Sequence, residues 1–379
     1  MFSVIDTEKR GQAWLLVLLL CLSLWDFYSP RIGLRVFDMA SIALITLLVT
    51  WGGRSKSVIG PKSLRDPIPI IGLVALLITY NIAGIFLAPG GERSSLGIYL
   101  GLVTFIYFRS IYVPSNQIVA CINFLIAVHC SALVVQYLLF TFGGQLINPF
   151  AFLNMDVRLL SSVFRPAGLF REPAHFAFQI FSLLALRMLH YKVVDFYFWL
   201  SFLSVALSKS LWGITAVLLL LVLKWWRKPQ GVLTALVAFG LLYVYWPQLI
   251  EQQQISFLYS RVENIEFDGS AESRYLALIG QGLGILSEPL FWFGRGPHPL
   301  NSSIFGGNGF GFLFASWGVF GGLIAYLLMT RYLQFRERIF TTILLAFSLS
   351  ATSMWTNLYW WFWLAMMTRA SKRNVKKSW

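Results

Sequence analysis

Charge is what this chain has least of. Only 12% of its 379 residues are Asp, Glu, Lys or Arg, about half the share of a soluble domain. That excludes a water-soluble fold, which needs a charged shell around its core. Cysteine is scarce too: Cys21, Cys121 and Cys130 all fall inside apolar runs, so they build neither a disulfide framework nor a thiolate metal site. No G-x-x-x-x-G-K-S/T stretch exists, and no cytoplasmic segment is large enough for a nucleotide fold, which argues against an ATP-driven machine. A paired acidic motif is missing as well, since Asp156 and Asp268 stand alone and Glu263 and Glu266 have no His partner. No metal and no cofactor is expected.

What is present is apolar. Hydrophobic residues make up 57% of the chain, aromatics 17%, and the mean hydropathy is +0.68. The formal charge of +14 would suggest nucleic acid in a soluble protein. Here the basic residues cluster in short connections between apolar runs, which is the pattern of membrane topology. The sequence therefore predicts an all-α integral membrane protein, one polytopic domain over 1–379. Its spans fall near 12–26, 37–52, 68–88, 96–113, 118–142, 173–190, 193–207, 211–224, 231–247, 308–330, 339–355 and 356–369, about twelve in all. The first is read as an uncleaved span, because Trp25-Asp26-Phe27 follows it with no small-residue cleavage site.

Sidedness follows from the positive residues. With the N-terminus inside, two thirds of the 30 Lys and Arg residues face the cytoplasm and about two thirds of the 16 acidic residues face outward, so both termini are expected to be cytoplasmic. Two long connections, about 143–172 and 248–307, land outside. Long loops in a protein whose other links are short are where function is usually carried. Within the second, Ser270–Leu286 has Leu276, Ile279, Leu283 and Leu286 at helical spacing, an amphipathic helix at the outer interface.

The densest polar cluster is Arg165-Pro166-Ala167-Gly168-Leu169-Phe170-Arg171-Glu172-Pro173-Ala174-His175. Pro173 suits a first helical turn, which points the amides of Ala174 and His175 outward. Flanked by Arg165 and Arg171, that helix end is suited to an anion, because helix-end amides add to two permanent charges. Glu172 and His175, within one turn, are each able to serve as a base. The plainer alternative is an interfacial Arg171–Glu172 ion pair beside a satisfied helix histidine.

The stretch from Arg165 through Gly168 to Glu172-Pro173 resembles the bacterial O-antigen polymerases and the related O-antigen ligases. Ser208-Lys209-Ser210, Arg274, Gly294-Arg295-Gly296 and Gly307-Asn308-Gly309 leading into Trp317-Gly318-Val319-Phe320-Gly321-Gly322 follow in the family's order, so the resemblance covers about 160–330. Two departures stand out. Gly306-Gly307 precede Asn308 where the ligases carry a histidine, His298 being ten residues upstream, which favours polymerase; and Lys209 stands where an Arg is common. Taken alone, Lys209 also reads as a snorkelling turn residue, and Gly307-Asn308 as a plain helix entry in place of an anion nest.

The resemblance implies a metal-independent glycosyltransferase of the bacterial inner membrane, working on its periplasmic side. A growing glycan is then moved from undecaprenyl pyrophosphate to a lipid-linked repeat unit. Arg165, Arg171, Lys209 and Arg274 are expected to bind pyrophosphate, with Gly307 and Asn308 as an anion nest and Glu172 or His175 as catalytic base. Implied partners are an undecaprenyl-pyrophosphate-linked oligosaccharide, the lipid bilayer and a chain-length regulator protein, with no nucleic acid. The alternatives are a ligase transferring glycan to lipid A core, or a transporter or flippase of a lipid-linked or anionic solute.

Overall fold

A computed structural model of the chain describes residues 105, 115–145, 147, 164–170, 172–191, 194–225, 286–287, 289–294, 309–330, 335–349 and 363–367. Regular secondary structure among the described residues is α-helical, with no strand, as the composition predicts. The expected spans 12–26, 37–52, 68–88 and 231–247, the split at Trp355-Thr356-Asn357, and 96–113 apart from Phe105, lie outside the described residues. The described residues from 115 to 225 belong to one compact unit, and those from 286 to 367, with Phe105, belong to a second.

The first unit contains α1 (Ser115–Gly143), α2 (Pro173–Tyr191), α3 (Phe196–Leu207) and α4 (Leu211–Trp225). Its Val119–Gly143 segment is the one stretch among the described residues long and apolar enough to cross a membrane. At 1.5 Å per residue it spans about 37 Å, more than a hydrocarbon core of about 30 Å. Glycine ends this helix: Gly144 takes φ +62 and its amide donates to the Phe140 carbonyl, while the Gln145 amide reaches Leu139 O. That is a left-handed cap closing the last turn.

Helix α2 is the centre of the unit, packing against α1, α3 and α4. Every residue from Phe176 to Met188 is buried, including Arg187, so no face of this stretch meets the surroundings. Outside it the arrangement inverts. Phe124, Val135, Leu138, Leu139 and Phe142 of α1 and Phe196, Trp199 and Leu203 of α3 are exposed, the surface expected where the surrounding medium is itself apolar. Close approach is obtained with a small residue: a Cβ on Gly213 of α4 would lie 2.5 Å from Ala177 Cβ and 2.8 Å from Val205 Cγ1.

Helix α3 begins three residues after the apolar run suggests, because Asp195 caps it. Its Oδ1 accepts the amides of Tyr197 (3.1 Å) and Phe198 (3.4 Å). Its Oδ2 pairs with Arg187 of α2, whose Nε donates to Asn123 Oδ1 of α1 at 2.7 Å and whose guanidinium lies 5.6 Å from the Tyr197 ring centre. Arg187 is 1% exposed. The charge is tolerated because a carboxylate, an amide oxygen and a ring face all meet it.

In the second unit, α5 (Pro289–Phe293) packs on α6 (Gly309–Thr330), and α6 on α7 (Phe335–Leu349). The span expected from 339 begins at Phe335, since the helix continues through the polar Arg336, Glu337 and Arg338. Inside α6, Gly318 has φ +64 and kinks the helix. A Cβ there would lie 2.3 Å from Trp292 O and 2.6 Å from Gly294 N, so the kink is where α5 seats. Trp363 is 1% exposed and belongs to the core, while Tyr359, Trp360 and Trp361 lie outside the described residues.

Candidate functional site

The polar cluster lies at one end of the first unit, where α1 ends, α2 begins and the α3–α4 turn closes. Residues 164–170 form a loop laid along a single face of α1. Phe140 stacks on Phe164 with ring centres 3.8 Å apart. Gln136 Oε1 accepts the amides of both Ala167 and Gly168 at 2.9 Å, and its Nε2 donates to Ile147 O at 2.9 Å. One or two turns lower, the His129 ring sits 4.9 Å from the Phe170 ring. His129, Leu133, Gln136 and Phe140 recur every three or four residues, so they share one stripe of the helix.

Gly168 is what allows the loop to lie so close. It has φ +58, and a Cβ would come within 3.2 Å of the Leu133 amide nitrogen and 3.3 Å of the His129 carbonyl. The chain then turns, Phe170 N donating to Ala167 O at 3.1 Å, and enters α2. Pro173 occupies the first helical position as expected. The amides fall differently from the sequence expectation: His175 N donates to Glu172 O at 3.1 Å and Phe176 N to the same oxygen at 3.2 Å. The His175 amide is therefore engaged within the first turn, and does not simply face outward. The side chains of Glu172 and His175 are half-buried.

The α3–α4 break at Ser208-Lys209-Ser210 falls where the sequence puts it. Ser208 continues the helical backbone with φ −67, Lys209 swings to φ +54, and Ser210 caps α4, its carbonyl accepting Ile214 N at 2.9 Å. A left-handed residue after a helix end is ordinarily Gly; on a residue with a Cβ it costs roughly 1–2 kcal/mol. Lys209 is only 4% exposed, and its Nζ donates to Phe164 O at 2.8 Å. In return, Arg165 Nη2 donates to Lys209 O at 3.4 Å across 44 positions of sequence. A turn residue it is, but its ammonium runs inward, unlike a snorkelling side chain.

Four expected site residues, Arg171, Arg274, Gly307 and Asn308, lie outside the described residues, as do His298 and most of the expected amphipathic helix. Of the rest, the structure gathers Arg165, Lys209 and the Glu172–His175 turn around one loop. Gln136 was missed by sequence reasoning, which assigned His129 no role. The available signal was two large polar side chains seven residues apart in a largely apolar span. His129 is 1% exposed and neither ring nitrogen has a hydrogen-bond partner. Among the described residues no three His, Cys, Asp or Glu side chains are grouped to hold a metal ion. In the second unit the glycines of the resemblance meet, with Gly294 (φ +69) at the Gly318 kink. No family model matches the chain, and no curated protein matches it.

Proposed function

We propose that this protein is a polytopic inner-membrane glycosyltransferase, a polymerase of O-antigen or a similar surface polysaccharide, with about twelve spans, both termini cytoplasmic and its site on the periplasmic side. The donor is a glycan on undecaprenyl pyrophosphate and the acceptor a lipid-linked repeat unit. The acceptor hydroxyl oxygen bonds to the anomeric carbon as the bond from that carbon to the pyrophosphate oxygen breaks. The electron pair leaves with undecaprenyl pyrophosphate, and the hydroxyl proton goes to Glu172, or to His175 in its place. The role assigned to Arg165 and Arg171 is to stabilise the charge developing on the leaving group, where fixed cations lower the barrier most.

The observation that carries this reading is the convergence of Arg165 and Lys209, 44 positions apart, on the loop that leads into Glu172-Pro173. A cation and a carboxylate on a loop that the buried Lys209 ammonium tethers, beside a membrane-length helix, suit an anionic headgroup at a bilayer surface. The test is deletion of the gene followed by gel analysis of surface polysaccharide. A polymerase deletion loses the high-molecular-weight ladder and keeps a core-plus-one-unit band. Bare core with polymer stranded on lipid carrier would identify a ligase; bare core without external polymer, a flippase. An unchanged ladder, with no second polymerase present, overturns the reading.

A further inference from the structure

The sequence counts Lys209 as one more cation for the phosphates. Its surroundings say otherwise. The residue is 4% exposed, its ammonium is directed at the Phe164 carbonyl at 2.8 Å, and its own carbonyl accepts Arg165 Nη2 at 3.4 Å. The two bonds form a reciprocal bracket: the Lys209 side chain holds the backbone just before Arg165, and the Lys209 backbone receives the side chain of Arg165. Only a residue with a long donor satisfies the first bond, and only a left-handed backbone, φ +54, sets this turn while Ser208 and Ser210 complete the two helix ends. Gly, the ordinary choice there, supplies the backbone and lacks the donor.

We infer that Lys209 is a positioning residue, which aims the Arg165 guanidinium at the lipid pyrophosphate and does not itself contact phosphate. This rests on the function proposed above. It accounts for Lys in place of Arg: the position needs a long donor to the Phe164 carbonyl, not a planar fork for two phosphate oxygens. Gln136 supports the same loop from the other side through the Ala167 and Gly168 amides, so Arg165 is held between α1 and the α3–α4 turn.

The test is a double-mutant cycle on the full-length protein in lipid nanodiscs, reading undecaprenyl pyrophosphate affinity for wild type, Lys209→Met, Arg165→Ala and the double variant. Lys209→Met alone is expected to weaken binding by about tenfold, the order of one charge-assisted hydrogen bond. Added to Arg165→Ala, it should weaken binding by less than about twofold, because the residue it positions is gone. Lys209→Gln, uncharged but still able to donate to Phe164 O, should restore most of the affinity, and it guards against misfolding of the Met variant. A loss that persists in full on the Arg165→Ala background, or a Gln variant as weak as Met, makes Lys209 a direct phosphate ligand and overturns the inference. Unchanged affinity in Lys209→Met makes the residue merely structural and overturns it too. Arg165→Ala binding as wild type instead overturns the phosphate-site reading itself, and the inference with it.

Discussion

Gln136 holds more of the candidate site than any single charge does. One side-chain oxygen accepts two consecutive amides, Ala167 and Gly168, both in a buried stretch. Gln136→Leu keeps much of the volume and leaves both donors without that acceptor, at about 1–3 kcal/mol for each unsatisfied buried group. Its expected signature is a lower unfolding temperature in detergent with faster amide exchange over 165–170, while exchange at the Arg187 end of α2 stays as in wild type. The base is decided at the same scale. If Glu172 takes the proton, Glu172→Gln binds undecaprenyl pyrophosphate normally and turns over at least about a hundredfold more slowly. His175→Ala is then the milder variant, and the reverse ranking moves the role to His175.

Among the elements, α2 shows how the site is kept in place. Its two ends are tied differently: the N-terminal end through the 164–170 loop, the other through Arg187 to Asn123 and Asp195. The two ties lie about 20 Å apart along the helix axis. Arg187 is buried and Asp195 only in part (1% and 29% exposed), so Asp195→Leu, which leaves the buried guanidinium without its carboxylate, is expected to destabilise by about 3 kcal/mol and Arg187→Met by less. In Asp195→Leu the α3 cap is lost as well. The double replacement should recover part of the loss, because no buried charge then remains. Thermal unfolding of the three variants checks this, and a double variant less stable than either single would contradict it. Spacing alone located α1 to α4 to within a few residues, because apolar runs bounded by Gly, Pro and polar clusters mark where helices end. It misplaced the start of α3 and was silent on the surroundings of Arg187, because both depend on Asp195 acting on two elements at once.

For the whole molecule, the charge distribution makes the strongest demand. A cysteine placed at Gln253 or Asn154 of a Cys-free variant should react with a membrane-impermeant thiol reagent in intact cells, and one at Gln230 or Gln334 should not. Labelling of the second pair alone would turn the protein over and put the Arg165 loop in the cytoplasm. Sequence by itself determined the helical class, the apolar exterior and the identity of the polar cluster, because each is a property of composition or of local spacing: apolar residues recur at the period of a helix, and Pro and Gly stop one. Tertiary structure alone decided what those polar groups meet. Whether Lys209 faces phosphate or a carbonyl depends on where Phe164 lies, 45 positions away. Whether Gln136 is a misplaced polar residue or a clamp depends on a loop crossing α1 at Gly168. Such pairings are set by chain segments distant in sequence meeting where a buried donor without an acceptor is costly, and no local pattern encodes them.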